Sequence, residues 1–292
     1  MIPSSFEYHA PASLDEALAL LARHGEEAKL LAGGQSLLPL MKLRLASPTH
    51  IVDINRIPGL GFLEEADGVL RVGALVREAD LDDSELVRSR LPILTETARQ
   101  IADPLVRNLA TLCGNLAHGD PANDHPATML ALGAEVVATG RQGARRIPIS
   151  GFFTGPFATA LRADEILTEV RIPLPPRRSG GAYLKVERKV GDYATAGVAV
   201  QVTLTTQGTC ERAGIGLTNA GLTPVKAERA EAALRGTALT EDVIKNAARL
   251  AAEAAEPSAD LRGSAEYKRD LIRVLTARAL RKAIARAQGQ PA

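Results

Sequence analysis

Apolar positions recur at helical spacing near the start of the chain: Leu14, Ala17, Leu18 and Leu21 fall on one face. Ser13-Leu14-Asp15-Glu16 reads as a capping box, whose serine oxygen and glutamate carboxylate satisfy amides that a first helical turn leaves without partners. His24-Gly25 ends this helix. Ala28–Ala32 then predicts a short, mostly apolar strand running straight into Gly33-Gly34-Gln35-Ser36. His50–Asn55 predicts another strand, and Phe62–Val72, with Asp67-Gly68 at its middle, predicts a hairpin. Glu78 to Ile101 is helical by pattern, with interruptions. Asp103–Asn108 and the polar segment Thr111–Pro121 read as loops. A short helix near Pro126–Leu132 and strands at Ala134–Thr139, Arg145–Pro148 and Glu165–Ile172 follow.

Pro173–Gly181 is rich in proline and glycine and reads as a linker. Beyond it the grammar changes. Ala182–Arg188, Gly197–Thr206 and Cys210–Asn219 predict antiparallel strands. Three helices come after them: Ala227–Leu234, one capped by Thr240, and a long one capped by Ser264 with Tyr267, Leu271, Val274, Leu275 and Leu280 as its apolar stripe. A run of strands followed by a run of helices indicates an α+β tail domain. The divisions expected are 1–58, 59–176 and 177–292.

The 292 residues are 46% apolar and 24% charged, which is enough to bury full cores in two or three units. Basic residues (35) balance acidic ones (34), so no broad field draws the chain to nucleic acid or anionic lipid. Met1–Ala12 carries Pro3, Glu7 and Pro11 without a basic start and apolar run, so it does not read as a signal peptide. No apolar stretch approaches the roughly 20 residues of a membrane span, and the expected location is the cytoplasm. Cys113 and Cys210 are the only cysteines, too few for a thiolate cage around zinc or an iron–sulfur cluster within this chain.

Two segments can carry chemistry. A turn on consecutive glycines lets successive backbone N–H groups of Ala32–Ser36 point into one concavity, which suits an anion such as pyrophosphate; Ser36 adds a hydroxyl and Lys29 a nearby charge. Thr111–Pro126 places seven hydrogen-bonding side chains, Thr111, Asn115, His118, Asp120, Asn123, Asp124 and His125, between small residues. It reads as a ligand loop, as a structural turn capping the next helix, or as a metal site through His118, Asp120, Asp124 and His125. No G-x-G-x-x-G follows a strand, and Walker and G-x-S-x-G motifs are missing, so Rossmann, nucleotide-hydrolase and α/β-hydrolase sites are unsupported.

Ala32-Gly33-Gly34-Gln35-Ser36-Leu37-Leu38-Pro39, Val52-Asp53-Ile54-Asn55, Thr111-Leu112-Cys113-Gly114-Asn115-Leu116 and Gly191-Asp192-Tyr193-Ala194-Thr195-Ala196-Gly197, taken in order, resemble the FAD-binding (medium) subunit of molybdenum hydroxylases, above all of the carbon monoxide dehydrogenase type, related to xanthine dehydrogenase. The resemblance covers nearly the whole chain. It implies an α+β architecture: a two-lobed FAD-binding fold of the vanillyl-alcohol oxidase and CO dehydrogenase flavoprotein type, plus a C-terminal α+β domain with a small antiparallel sheet and helices. It also implies FAD as the cofactor and an oxidoreductase role as an electron-transfer subunit. The expected partners are a molybdopterin-binding large subunit and a small subunit with two [2Fe–2S] clusters, as a dimer of heterotrimers, together with an external electron acceptor. The competing readings are a stand-alone flavin oxidase and a cofactor-free scaffold.

Carried over by the resemblance, Lys29, Leu30, Leu31, Ala32, Gly33, Gly34, Gln35, Ser36 and Leu37 would line the pyrophosphate and ribityl chain. Ile101 and Ala102 would flank the cofactor, and Thr111, Gly114, Asn115, Ala117 and His118 would form the opposite wall. Asp124 would lie near the ribityl hydroxyls, Leu167 near the adenine or pyrophosphate, Lys185 at the isoalloxazine edge and Tyr193 over one flavin face. No general acid, base, nucleophile or metal ligand is implied on this chain, because a flavin performs its own electron chemistry. Lys185→Met is expected to alter flavin redox behaviour more than stability. Cys113 stands where the family usually has a glycine, placing a Cβ where a Gly-Gly-Asn turn favours positive φ; a small buried filler is the preferred reading over a reactive thiol.

Overall fold

In the computed structural model, which describes residues 2–290, the chain begins with β1 (Glu7–His9), α1 (Leu14–His24), β2 (Ala28–Leu31), α2 (Leu37–Lys42) and β3 (His50–Asp53). The strands form a parallel sheet in the order β1-β3-β2. Ser13 caps α1, its Oγ accepting the Glu16 N–H at 3.2 Å, while Glu16 accepts the Ala12 N–H at 2.8 Å. Ala17, Leu18 and Leu21 are buried on the face read from the sequence, and Gly25, at φ 53°, ends the helix.

A hairpin of β4 (Leu63–Ala66) and β5 (Val69–Gly73) follows. Asp67 and Gly68 both have positive φ, the requirement of a two-residue turn that matches strand twist. Short helices come next: α3 (Glu78–Asp83), α4 (Glu85–Arg90), α5 (Pro92–Arg99), α6 (Pro104–Arg107), α7 (Leu112–His118) and α8 (Asp124–Leu132). Strands β6 (Glu135–Gly140), β7 (Gly143–Pro148), β8 (Phe153–Gly155), β9 (Ala158–Thr159) and β10 (Ile166–Pro173) complete this part. The order β4-β5-β10-β6-β7 makes a five-stranded antiparallel sheet.

Two expectations fail here. Asp103–Asn108 is not all loop but holds α6, started by Asp103, whose carboxylate accepts the Val106 N–H at 3.0 Å. Thr111–Pro121 is largely the helix α7. Thr111 caps it, accepting the Gly114 N–H at 3.0 Å; Leu112, Cys113 and Leu116 bury its inner side; and Gly119, left-handed at φ 65°, closes it.

The last part contains β11 (Ser179–Val186), β12 (Ala196–Leu204), β13 (Cys210–Thr218) and β14 (Val225–Lys226), then α9 (Glu228–Leu234), α10 (Glu241–Glu253) and α11 (Ala265–Ala287). The four strands pair antiparallel in sequence order. Tyr183 and Ala199 belong to the apolar core that begins at α1, whereas Ala182, Val198, Val200 and Val202 belong to a second core under α10 and α11. The sheet is thus covered on both faces, which is why β12 is apolar nearly throughout.

The proposed linker is correspondingly shorter than 173–181. Gly180 and Gly181 are ladder residues of β11, and a Cβ on Gly180 would collide with the backbone of Ala283 in α11. These glycines permit close helix-to-sheet packing rather than flexibility. The α11 stripe also differs: Leu275 and Leu280 are buried, but with Ile272, Ala279 and Ala283, while Tyr267 is exposed. Among the described residues no helix is long and apolar enough to cross a membrane.

Candidate functional site

The glycine turn after β2 is held from behind. Parallel pairing of β2 with β3 ends in Ile54 N–H donating to Leu31 O at 3.0 Å. Asn55 then donates through Nδ2 to Ala32 O at 2.8 Å and to Asp53 Oδ1 at 2.6 Å. Arg77 donates from Nη2 to Asn55 Oδ1 at 2.6 Å and from Nη1 to Leu109 O at 2.7 Å, so one guanidinium ties the turn to the segment preceding α7. Gly33 sits directly on that segment; a Cβ there would overlap Leu109 O and lie 2.8 Å from Ala110 Cα. Gly34 has φ 72°.

The N–H groups of Gly33, Gly34, Gln35 and Ser36 donate to no protein acceptor among the described residues. Buried or half-buried amides seldom stay unpaired, and a row of them in a turn is an anion nest. Lys29 is exposed on β2, Leu30 and Leu31 are half-buried beside it, and Leu37 opens α2.

On the opposite side, Thr111 is buried as the cap of α7 and Gly114 is exposed in its first turn, where a Cβ would crowd Thr111 Oγ1 at 2.7 Å. Asn115 accepts through its backbone O from Asn123 Nδ2 at 2.9 Å, while its own Oδ1 is buried without a partner. Ala117 is half-buried. His118 packs on Phe157 with centroids 5.2 Å apart, and burial lowers its pKa against the opposing pull of Asp120. Cys113 lies inside α7, not at positive φ, and is 3% exposed. The backbone strain expected there does not arise, and burial pushes the thiol far above its ordinary value.

A third group sits where α5, α8 and β11 meet. Asp124 accepts from Tyr183 Oη at 2.5 Å and from Lys185 Nζ at 3.1 Å. The Lys185 ammonium also donates to Gln100 O at 2.8 Å and lies 3.2 Å from Glu187 Oε2, with its side chain 1% exposed. Burial raises the Asp124 pKa even though Lys185 and Tyr183 pull it down, and raises that of Tyr183 further. Next to this group are Ile101, buried, and Ala102, at φ 42°; Gly191 packs on Ala102, where a Cβ would be 2.8 Å from its carbonyl oxygen.

Tyr193 follows on that turn, its ring 45% exposed and 5.8 Å from the Arg262 guanidinium. Asp192 anchors the turn, bonded by Arg262 and Arg188 at 2.9 Å each, and the hydrogen bond from Arg262 leads in holding its carboxyl down to about 2. Leu167 is buried in β10, within the core.

The fold therefore brings Ala32–Ser36 against the entry to α7, and Gln100–Ala102 against Lys185 and Gly191. The metal-competent group of the polar segment does not converge. His125 is paired with Glu78 at 2.6 Å in full burial, Asp124 with Lys185, and Asp120 with the Ala122 N–H at 2.9 Å. Arg77, Tyr183 and Arg262 escape the sequence reading, and Asn55 and Asp192 enter it only inside motifs that carry the resemblance, with no role of their own.

The donor set fits FAD: free turn amides for phosphate oxygens, a glycine cradle that a Cβ would fill, the unpartnered Asn115 Oδ1 for a hydroxyl, and an exposed aromatic ring.

Comparison with known proteins agrees with this geometry. The family described as "FAD binding domain in molybdopterin dehydrogenase" matches residues 4–175, and "CO dehydrogenase flavoprotein C-terminal domain" matches residues 181–283. The carbon monoxide dehydrogenase medium chain of Hydrogenophaga pseudoflava is 47% identical, over 98% of this chain and 99% of its own. That of Afipia carboxidovorans is 46% identical, over 99% and 100%. A solved chain of the Hydrogenophaga pseudoflava carbon monoxide dehydrogenase superposes with a TM-score of 0.96 at 49% identity, over 98% of this chain and 99% of that one. The chain belongs to the FAD-binding subunits of molybdopterin dehydrogenases, in the group of carbon monoxide dehydrogenase medium chains.

Proposed function

We propose that this chain is the FAD-carrying electron-transfer subunit of a molybdenum hydroxylase, an oxidoreductase in which electrons come from [2Fe–2S] clusters on a partner chain and leave to an external acceptor. The observation that carries the reading is the row of unpaired amides at Gly33–Ser36 pressed against the entry to α7. When bound, FAD supplies the redox chemistry. The residues of this chain bind and orient it. Ala32–Ser36 hold the pyrophosphate, Thr111, Gly114 and Asn115 close the other side, Asp124 orients the ribityl end, and Tyr193 covers one ring face.

Lys185 acts through Asp124, since its buried ammonium is held between Gln100 O, Asp124 and Glu187. Both cysteines are buried and free, so the clusters and the molybdopterin belong to other chains, assembled with this one in the cytoplasm as a dimer of heterotrimers. The substrate is selected on the molybdenum chain, and carbon monoxide is the first candidate because the relatives compared above are named for it.

The test is expression of the chain alone and with its genomic neighbours. The chain alone is expected to purify yellow with a flavin absorption spectrum, and the complex to carry stoichiometric molybdenum and iron. A colourless chain that takes up no added FAD refutes cofactor binding; a monomer without either metal after co-expression refutes the assembly.

A further inference from the structure

At the other end of the N-terminal sheet, three of the five histidines of the chain meet: His9 at the end of β1, His24 at the end of α1 and His50 at the start of β3. One ring nitrogen from each lies within 4.8 Å of the others. His9 Nε2 and His50 Nδ1 are 3.1 Å apart, and Glu7 Oε2 is 3.4 Å from His50 Nδ1 and 3.9 Å from His9 Nε2. A tetrahedral zinc site with metal–ligand bonds of about 2.0–2.1 Å sets its donor atoms about 3.3 Å apart. The Glu7, His9 and His50 atoms are already near that spacing, and the His24 ring, packed on that of His50 at 3.7 Å between centroids, must rotate off it to join them.

Among the described residues the His24 ring has no hydrogen-bond partner, and His9 and His50 are engaged only with each other and with Glu7, while the three rings pack together with centroids 3.7–5.5 Å apart. All three rings are half-buried, and they gather at the carboxyl end of the 11-residue α1, where the helix dipole favours a cation. A groove of about 430 Å³ lined by His9, Pro11, Glu16 and Arg23 opens beside His9.

We propose that His9, His24 and His50, completed by Glu7, bind one divalent transition-metal ion of the zinc class. Imidazole nitrogens and one carboxylate are the donors that such borderline ions prefer. The site is separate from the cofactor turn: His9 pairs with Val52 on the side of β3 away from β2. His50 pairs with Ala28, whereas Leu31 at the other end of β2 leads into Ala32–Ser36, about 10 Å further along at 3.3 Å per residue. The ion is therefore structural. It joins β1 and α1 to β3, the strand whose far end places Asp53 and Asn55 behind the glycine turn.

The test uses the untagged, FAD-loaded full chain, stripped with a chelator and dialysed against cobalt(II) or zinc(II), beside His24→Gln and Glu7→Gln, with the flavin spectrum as the control for folding. One equivalent of cobalt with a tetrahedral visible spectrum, displaced by zinc, is expected. So are binding at least about tenfold weaker in both variants and a zinc-dependent rise in Tm confined to the wild type. No stoichiometric uptake by the wild type, or equal uptake by wild type and His24→Gln, overturns the proposal.

Discussion

Replacing Lys185 with Met removes the ammonium that Gln100 O, Asp124 and Glu187 surround. The ammonium is 2.8 Å from Gln100 O, 3.1 Å from Asp124 and 3.2 Å from Glu187, and the Asp124 side chain is only 8% exposed. Methionine has nearly the same length, so packing survives while Asp124 and Glu187 lose the ammonium that both approach. Breaking a buried pair from one side costs about 3–5 kcal/mol. Asp124 keeps the 2.5 Å hydrogen bond from Tyr183 and can take up a proton, which places the loss near the lower end, about 3 kcal/mol. For domains of this scale such a loss lowers Tm by about 6–12 °C.

The same substitution has a pH signature. Burial already raises the Asp124 pKa in the folded chain, and Lys185 is the leading influence that lowers it. Without Lys185 it rises further. Between the unfolded and folded values the folded state binds more protons, so stability falls as pH rises through that window. The deficit of Lys185→Met against wild type is therefore largest at about pH 8 and shrinks towards about pH 5. Urea unfolding followed by far-UV circular dichroism at both pH values measures it, with Lys185→Arg as the variant that keeps the charge. A loss below about 1 kcal/mol at the higher pH, or a deficit that does not shrink in acid, refutes the reasoning. Normal stability with a shifted flavin midpoint potential would favour instead the direct redox role expected from the sequence.

Gly33→Ala forces the Leu109–Ala110 backbone to retreat, at an overpacking cost of about 1–3 kcal/mol. Fluorescence titration of the deflavinated chain is expected to show FAD affinity lower by about tenfold, equivalent to about 1.4 kcal/mol; Gly151→Ala, where nothing lies within 4 Å of the new Cβ, should match wild type, and equal affinity in both would remove the cradle. Cys113, buried and with its thiol pushed up, should resist a disulfide reagent until the chain unfolds. Cys113→Gly should leave the flavin spectrum unchanged while costing about 1 kcal/mol for the helix interior alone, and rapid labelling of native Cys113 would show the filler reading to be wrong.

What the sequence made legible was whatever is encoded within one turn or one strand. The Ser13 cap, the Asp67-Gly68 hairpin and the two-faced apolar run of β12 each follow from neighbours a few residues apart. The glycine nest was legible for the same reason, since its donors belong to the backbone and consecutive glycines announce them. Where one residue type serves two ends, local reading chose the wrong one. Gly180 and Gly181 look like linker until the backbone of α11 is laid against them. The Gly114-Asn115 pair looks like a loop until the Thr111 cap and the burial of Leu112, Cys113 and Leu116 turn it into α7.

Charged partners were illegible for a different reason. Lys185 finds Asp124 across 61 residues, His125 finds Glu78 across 47 and Arg77 finds Asn55 across 22, and no spacing rule joins such pairs. The same holds at the candidate site. Its donors are local, but the glycine turn and the segment before α7 are tied together by Arg77, which belongs to neither. The placement of the Gly33–Ser36 amides against the entry to α7 thus rests on a guanidinium 22 residues from the asparagine it holds and 32 from the carbonyl it reaches, a link that no local pattern announces.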